Sequence, residues 1–180
     1  NLARSTVAQV YDQILKDLNQ AETSLPLTQG SAILNTTRAH RNTVIAFKTR
    51  VLLTMQRWND VITEATKIVP AAAPYQAATG VANRLEPSIA DVFSLWTTGE
   101  SIFSMPFTDL NLPGTQNGLA NYYMGGFGAL DYTLNPSGIL SNTGWKASDA
   151  RRNFIGSTTV GTTPYNNLRK YTRNPQVDYA

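Results

Sequence analysis

The chain has 180 residues, of which 42% are hydrophobic and only 15% charged, with a net charge of +3 and a sequence pI near 9.3. That length and apolar content support one domain with a real core and are too small for two large ones. Without cysteine, disulfides, thiolate catalysis and Cys-based metal sites are excluded, and no apolar run approaches the roughly 20 residues of a membrane-spanning helix.

With so few charges, Asn, Thr, Ser and Gln must supply most of the polar surface. Such a surface suits extracellular or periplasmic life and contact with neutral ligands. The cations are dispersed, their close groups being Arg38/Arg41, Arg151/Arg152 and Arg169/Lys170/Arg173. A phosphate-tracking groove needs many cations in line, so no nucleic-acid partner is expected. Both ends read as cut, and any targeting segment is expected outside this sequence.

The first half reads as helical. Thr6 and Gln9 have capping-box spacing. Val7, Val10, Tyr11, Ile14, Leu15, Leu18, Ala21 and Leu25 then follow helical periodicity until Pro26 stops the helix. Residues 27–36 read as a polar loop. A second helix is expected from about Thr37 to Met55, with an apolar surface of Ala39, Val44, Ile45, Phe47, Val51, Leu52 and Met55 wide enough for burial on two sides. After a break near Gln56, Trp58, Val61, Ile62, Ala65, Ile68 and Val69 mark a third helix that Pro70 ends. Two helices joined so tightly must pack antiparallel, the unit that TPR solenoids stack. Trp58 is expected to anchor that pair, and Trp96 to be a core residue as well.

A fourth helix is expected from Pro87 to about Trp96, with Ile89, Val92, Phe93 and Trp96 on one face. Glu100–Phe107 reads as a short strand that Pro106 confines to an edge. After Asp109 the composition changes, and seven of the 12 glycines fall between Asn111 and Gly144. The expected organisation is therefore a helical part, 1–108, and a loop-rich segment of the same domain, 109–180, with a short strand over Leu168–Tyr171. The expected fold class is mainly α, a TPR-like helical repeat scaffold with an irregular loop-rich extension and short strands.

An ordered series of motifs runs through the chain. It begins with Arg4-Ser5-Thr6, Val10-Tyr11, Ile14-Leu15-Lys16-Asp17-Leu18, Ala21 and Leu25-Pro26. It continues with Ala46-Phe47-Lys48-Thr49-Arg50-Val51-Leu52-Leu53 before Arg57-Trp58. Glu100-Ser101-Ile102-Phe103-Ser104, Asp149-Ala150-Arg151 and Lys170-Tyr171 complete it. In order and spacing the series resembles the SusD/RagB family. The resemblance implies a non-catalytic surface lipoprotein of the outer membrane, a lid on a TonB-dependent, SusC-like transporter, that captures glycans or, in some branches, peptides. It implies contact with the membrane only through a lipid anchor outside this sequence.

The chemistry-bearing residues point the same way. His40, the only histidine, has no Gly-x-Ser-x-Gly elbow to accompany it and reads as a solvent-facing or helix-capping residue. One histidine without cysteine is a poor zinc site. Asp109, Asp131 and Asp149 could supply a glycosidase pair, but loop aspartates more often form turns, and Asp149-Ala150-Arg151 reads as a local ion pair. Gly125-Gly126-Phe127-Gly128 lacks the strand and lysine of a phosphate-binding loop and reads as a flexible turn.

Aromatic rings in the loop-rich half are the best candidate ligand contacts. Flat rings cover the C–H faces of sugars while amides bond to hydroxyls. Trp145 leads, with Tyr122 and Tyr123, and with Asn121, Asn142 and Asn117 as polar neighbours. The competing role for each ring is packing the loops onto the helices. No catalytic residue, metal or cofactor is expected. Two rival functions remain open: a TPR-like protein–protein adaptor, binding in a concave helical groove, and a glycoside hydrolase, which needs two spaced carboxylates in a cleft.

Overall fold

The structure is a computed structural model that describes residues 3–95, 97–105, 119–124 and 130–172. These residues are mainly helical, with one small antiparallel sheet. The chain divides into two compact units, Asn1–Pro87 with Thr97–Met105, and Ser88–Trp96 with Pro106–Ala180.

In the first unit α1 spans Val7–Ser24. The capping box forms as its spacing predicts: Thr6 Oγ1 accepts from the Gln9 N–H at 3.2 Å, and Gln9 Oε1 accepts from the Thr6 N–H at 2.9 Å. The buried stripe is shorter than periodicity suggests. Tyr11, Ile14, Leu15, Leu18 and Ala21 are half-buried, whereas Val7 and Val10 face solvent.

Residues 27–36 are not simply a loop. Ser31 caps a short helix, α2, Ala32–Thr37, by accepting from the Leu34 N–H at 3.3 Å. Its six residues carry too little periodicity to be seen in the sequence. α3 starts later than expected and spans Arg41–Thr54, followed by α4, Trp58–Ala65. Between them Gln56 takes a positive φ of 59°, which turns the chain sharply.

α3 packs against both α1 and α4, the two-sided burial its composition requires. Arg41, at its start, donates to the Glu22 carbonyl near the end of α1, and Lys48 at its centre meets Glu64 of α4. Each neighbour therefore runs antiparallel to it. Val44, Ile45 and Leu52 are buried, and Ile45 joins Ile68, Ala77, Ala46, Val69 and Ile102 in a core cluster.

Trp58 corrects the sequence reading: it is 57% exposed, and Ile62 and Phe47 are 62% and 56% exposed. Ile68, just beyond α4, is the buried member of that stripe. Glu100–Met105 forms no strand. Ser101 and Thr98 close a turn on each other, through Ser101 N–H to the Thr98 carbonyl at 3.0 Å and Thr98 N–H to Ser101 Oγ at 3.1 Å. Bonds from the Ser104 N–H to the Thr36 carbonyl and from the Glu86 N–H to Glu100 Oε1 help tie the segment down. Pro106 and Phe107 lie outside the described residues, as do Trp96, Asp109, Asn117 and Gly125–Gly128.

In the second unit α5 spans Ile89–Ser94 behind the cap Ser88, and α6 spans Leu119–Tyr123. Two short 3-10 turns, Ile139–Ser141 and Ala150–Phe154, precede a hairpin of β1, Ile155–Val160, and β2, Thr163–Leu168. Val160 pairs with Thr163, so the connection is the two residues Gly161-Thr162, and Gly161 supplies the φ of +63° that such a turn needs. The expected strand over 168–171 is thus the end of a longer one that stops at Leu168. Phe93 of α5 packs edge-on against Phe154, with centroids 5.5 Å apart, and against Tyr171 at 6.0 Å.

Candidate binding cleft

The second unit holds an open cleft of about 360 Å³ lined, among the described residues, by Ile139, Asn142, Gly144, Trp145 and Arg151. Local hydrogen bonds build it from consecutive turns. Asn142 Oδ1 accepts from the Gly144 N–H at 2.8 Å, and the Trp145 N–H donates to the Asn142 carbonyl at 3.0 Å. The short side chain of Asn closes this turn onto its own backbone and leaves its amide nitrogen as a donor beside the indole.

Arg152 holds Trp145 from the other direction. Its Nη2 donates to the Trp145 carbonyl at 2.7 Å and its Nε to the Lys146 carbonyl at 3.0 Å, with the guanidinium carbon 4.5 Å from the indole centroid. The planar fork bonds two carbonyls and covers a ring face at once.

Arg151 is fixed by Asp149. Its Nε lies 2.9 and 3.1 Å from the two carboxylate oxygens, and the Arg151 N–H donates to Asp149 Oδ1 at 2.9 Å, capping the 3-10 turn. The Arg151 side chain and N–H hold the Asp149 carboxyl far below the usual carboxylate range, with a smaller contribution from the Trp145 indole. Asp149 therefore stays ionised and cannot serve as the proton donor of a glycosidase at neutral pH. Asp131 is exposed and is not among the described residues lining the cleft.

Of the five described residues expected to contact a ligand, the cleft brings together Trp145 and Asn142. Asn121, Tyr122 and Tyr123 lie on α6 and are not among its described lining. The Tyr123 ring sits 5.5 Å from that of Tyr132 and the Tyr122 ring 6.3 Å from it, while the Tyr132 N–H donates to the Tyr122 carbonyl at 3.0 Å. Asn121 is half-buried, and its Oδ1 has no hydrogen-bond partner among the described residues. Arg151 and Ile139 complete the cleft without having been singled out as contacts. The Asp-x-Arg motif had marked Arg151, as a turn-former.

His40 belongs to the first unit and is fully buried, which corrects the solvent-facing half of its reading. It does occupy the cap position of α3, where its N–H donates to Thr43 Oγ1 at 3.3 Å. Its Nε2 lies 3.3 Å from the Ile102 carbonyl, an atom that can only accept, so Nε2 carries the proton. Burial pushes its pKa down, against the raising effect of the Ile102 and Asn35 carbonyls. Among the described residues no group of three or more His, Asp or Glu side chains could hold a metal ion, and no helix is long and apolar enough to cross a membrane.

Residues 1–53 match a SusD-like family described as "Starch-binding associating with outer membrane". That stretch contains the Arg4-Ser5-Thr6, Val10-Tyr11 and Ala46–Leu53 elements, while the cleft lies beyond it. No curated protein and no solved structure matches the chain. The amino-terminal 53 residues, which supply α1, α2 and most of α3, are thus similar to the SusD-like family.

Proposed function

We propose that this chain binds a neutral glycan, without chemistry, at the cell surface and passes it to a TonB-dependent, SusC-like transporter of the outer membrane. The SusD-like amino terminus supports the class and the location. The observation that carries the binding role is the Trp145 cleft, where a braced indole stands beside the Asn142 amide and the Arg151 guanidinium. An aromatic face with hydrogen-bond donors at its edge matches the two sides of a sugar ring. In this reading Asn142 and Arg151 bond to hydroxyls, and Tyr122, Tyr123 and Asn121 are a secondary platform on α6. A lipid anchor outside the sequence would hold the protein to the membrane, and the helices would form a TPR-like scaffold.

The test is calorimetric titration with maltoheptaose, the probe that the family's description suggests. Saturable binding is expected, and Trp145→Ala is expected to weaken it roughly tenfold or more while leaving the thermal melt intact. Unchanged affinity in Trp145→Ala, and in a Tyr122→Ala/Tyr123→Ala pair, would place the site elsewhere.

A second reading has its own support in the exposed Phe47, Trp58 and Ile62 of the α3–α4 hairpin. Apolar side chains left outside on packed helices suit a protein contact, as an adaptor would use. Titration with maltoheptaose separates the two: the glycan reading expects saturable binding that Trp58→Ser leaves unchanged, and the adaptor reading expects none.

A further inference from the structure

Beside the open cleft, and sharing Ile139, Trp145 and Arg151 with it, lies a more enclosed cavity of about 220 Å³ in the second unit. Among the described residues its lining includes the apolar Phe93, Phe154, Leu134 and Leu168, together with Lys170. An apolar cavity of about 150 Å³ holds a benzene molecule, so this one has room for a single substituted ring. Its surroundings are aromatic: Phe93 meets Phe154 and Tyr171 edge-on, at interplanar angles of 88° and 83°. A further ring can join such an array by edge or face contacts.

The charge in the wall narrows the ligand. Arg151 is neutralised by Asp149. Lys170 is half-buried, with Nζ 4.1 Å from the Phe93 centroid and 5.3 Å from that of Tyr171, and it has no carboxylate partner among the described residues. Two ring faces compensate an ammonium only in part, so the cavity joins an apolar interior to one cation in want of an anion.

We propose that this cavity binds a small aromatic carboxylate, with its ring among Phe93, Phe154 and Trp145 and its carboxylate paired with Lys170. A saturated acid would fill the space without using the ring array, and a neutral arene would leave Lys170 uncompensated. The inference stands apart from the glycan reading, since the cavity could bind benzoate whether or not the open cleft takes a sugar.

The experiment titrates the full chain with benzoate and with benzyl alcohol, its neutral counterpart, by calorimetry and by proton NMR. Saturable benzoate binding is expected, roughly tenfold or more tighter than benzyl alcohol, with nuclear Overhauser contacts from the benzoate ring to the Trp145 indole and the Phe154 ring. Lys170→Gln should abolish the preference for the anion and leave benzyl alcohol binding as it was. Leu134→Trp should fill the cavity and remove both. Should either variant fail to fold, the Overhauser contacts in the unaltered protein decide alone. No saturable binding, binding without those contacts, or an anion preference that survives Lys170→Gln would overturn the proposal.

Discussion

Lys48 sits at the centre of the helical unit and is only 4% exposed, a position that an unpaired ammonium could not hold. It contacts Glu22 and lies 3.2 Å from Glu64, while Asn19 Oδ1 accepts from it at 3.0 Å. Lys67 donates to the same two carboxylates, at 2.9 and 2.7 Å. Two cations and two anions thus close a ring that joins α1, α3 and α4 through side chains. Burial alone would raise the pKa of Glu22, but the hydrogen bonds from Lys48 and Lys67 outweigh it and hold the carboxyl below its ordinary 4.5. Lys48→Met would leave Glu22 and Glu64 facing each other with Lys67 alone to compensate. Because both carboxylates keep some contact with water, the expected loss is about 2–3 kcal/mol, less than for a fully buried pair, read as a lowered urea midpoint. His40 makes a second prediction. Its folded pKa lies below the ordinary 6.5 because burial disfavours the imidazolium. At pH below that value the unfolded chain takes up a proton that the folded chain refuses, so stability falls as the pH drops from about 6.5 through the folded pKa. Carboxylates titrate lower, so urea melts at about pH 7.5 and about pH 5.5 should isolate the histidine. The loss between them is expected to disappear in His40→Gln.

Which elements could be read in advance depended on their length and on the cap or apolar face that marked them. α1 has 18 residues and a complete capping box, so periodicity and cap agreed on both ends to within a residue or two. Thr6→Ala should cost about 1 kcal/mol there, measurable as a lowered thermal midpoint. α2 has six residues, less than two turns, and hides in polar sequence, whereas α5, equally short, lies within the helix expected from Pro87 and the apolar face of Ile89, Val92 and Phe93. The β1–β2 hairpin had a signal that periodicity does not see. Thr158-Thr159-Val160-Gly161-Thr162-Thr163 is β-branched on both sides of a glycine, the composition of a hairpin with a two-residue turn. The Trp58 error has a different cause. Helical spacing orders the side chains around an axis but does not say which edge of a wide apolar face meets a neighbour. Between α3 and α4, the Arg57 N–H donates to the Leu52 carbonyl at 3.0 Å near the turn and Lys48 meets Glu64 farther in, while Phe47, Trp58 and Ile62 stay exposed. The mutational consequence reverses accordingly. Trp58→Ala should cost under about 1 kcal/mol, as exposed substitutions do, whereas Leu52→Ala, at a buried position, should cost about 2–5 kcal/mol. A Trp58→Ala protein that melts far below the parent would show the ring to be covered.

At the scale of the whole molecule, the composition that first argued for a neutral ligand also makes the proposed function separable from the proposed cavity. Trp145 was legible as a candidate because it is a large ring in a Gly- and Asn-rich segment, and the cleft keeps it beside Asn142. Its partners Arg151 and Arg152 were not legible as parts of a site, since only folding shows that one is locked to Asp149 and the other lies over the indole. Those two locks set the electrostatics of the cleft. Arg151 is neutralised, and Arg152 donates to two backbone carbonyls and to a ring face. Sugar recognition there should therefore rest on dispersion and on hydrogen bonds to uncharged hydroxyls, which salt screens weakly, whereas an ion pair at Lys170 is screened with a Debye length of about 10 Å at 0.1 M. Maltoheptaose affinity is accordingly expected to change less than about twofold between 0.05 and 0.5 M NaCl, while benzoate binding weakens severalfold over the same range. Both titrations are calorimetric and use the same protein. If maltoheptaose binding falls steeply with salt, the ligand is held by charge, the cleft is not a neutral-sugar platform, and the low charge of the chain has been misread. If benzoate binding ignores salt, Lys170 is not its partner, and the cavity takes the ring for its apolar surface alone.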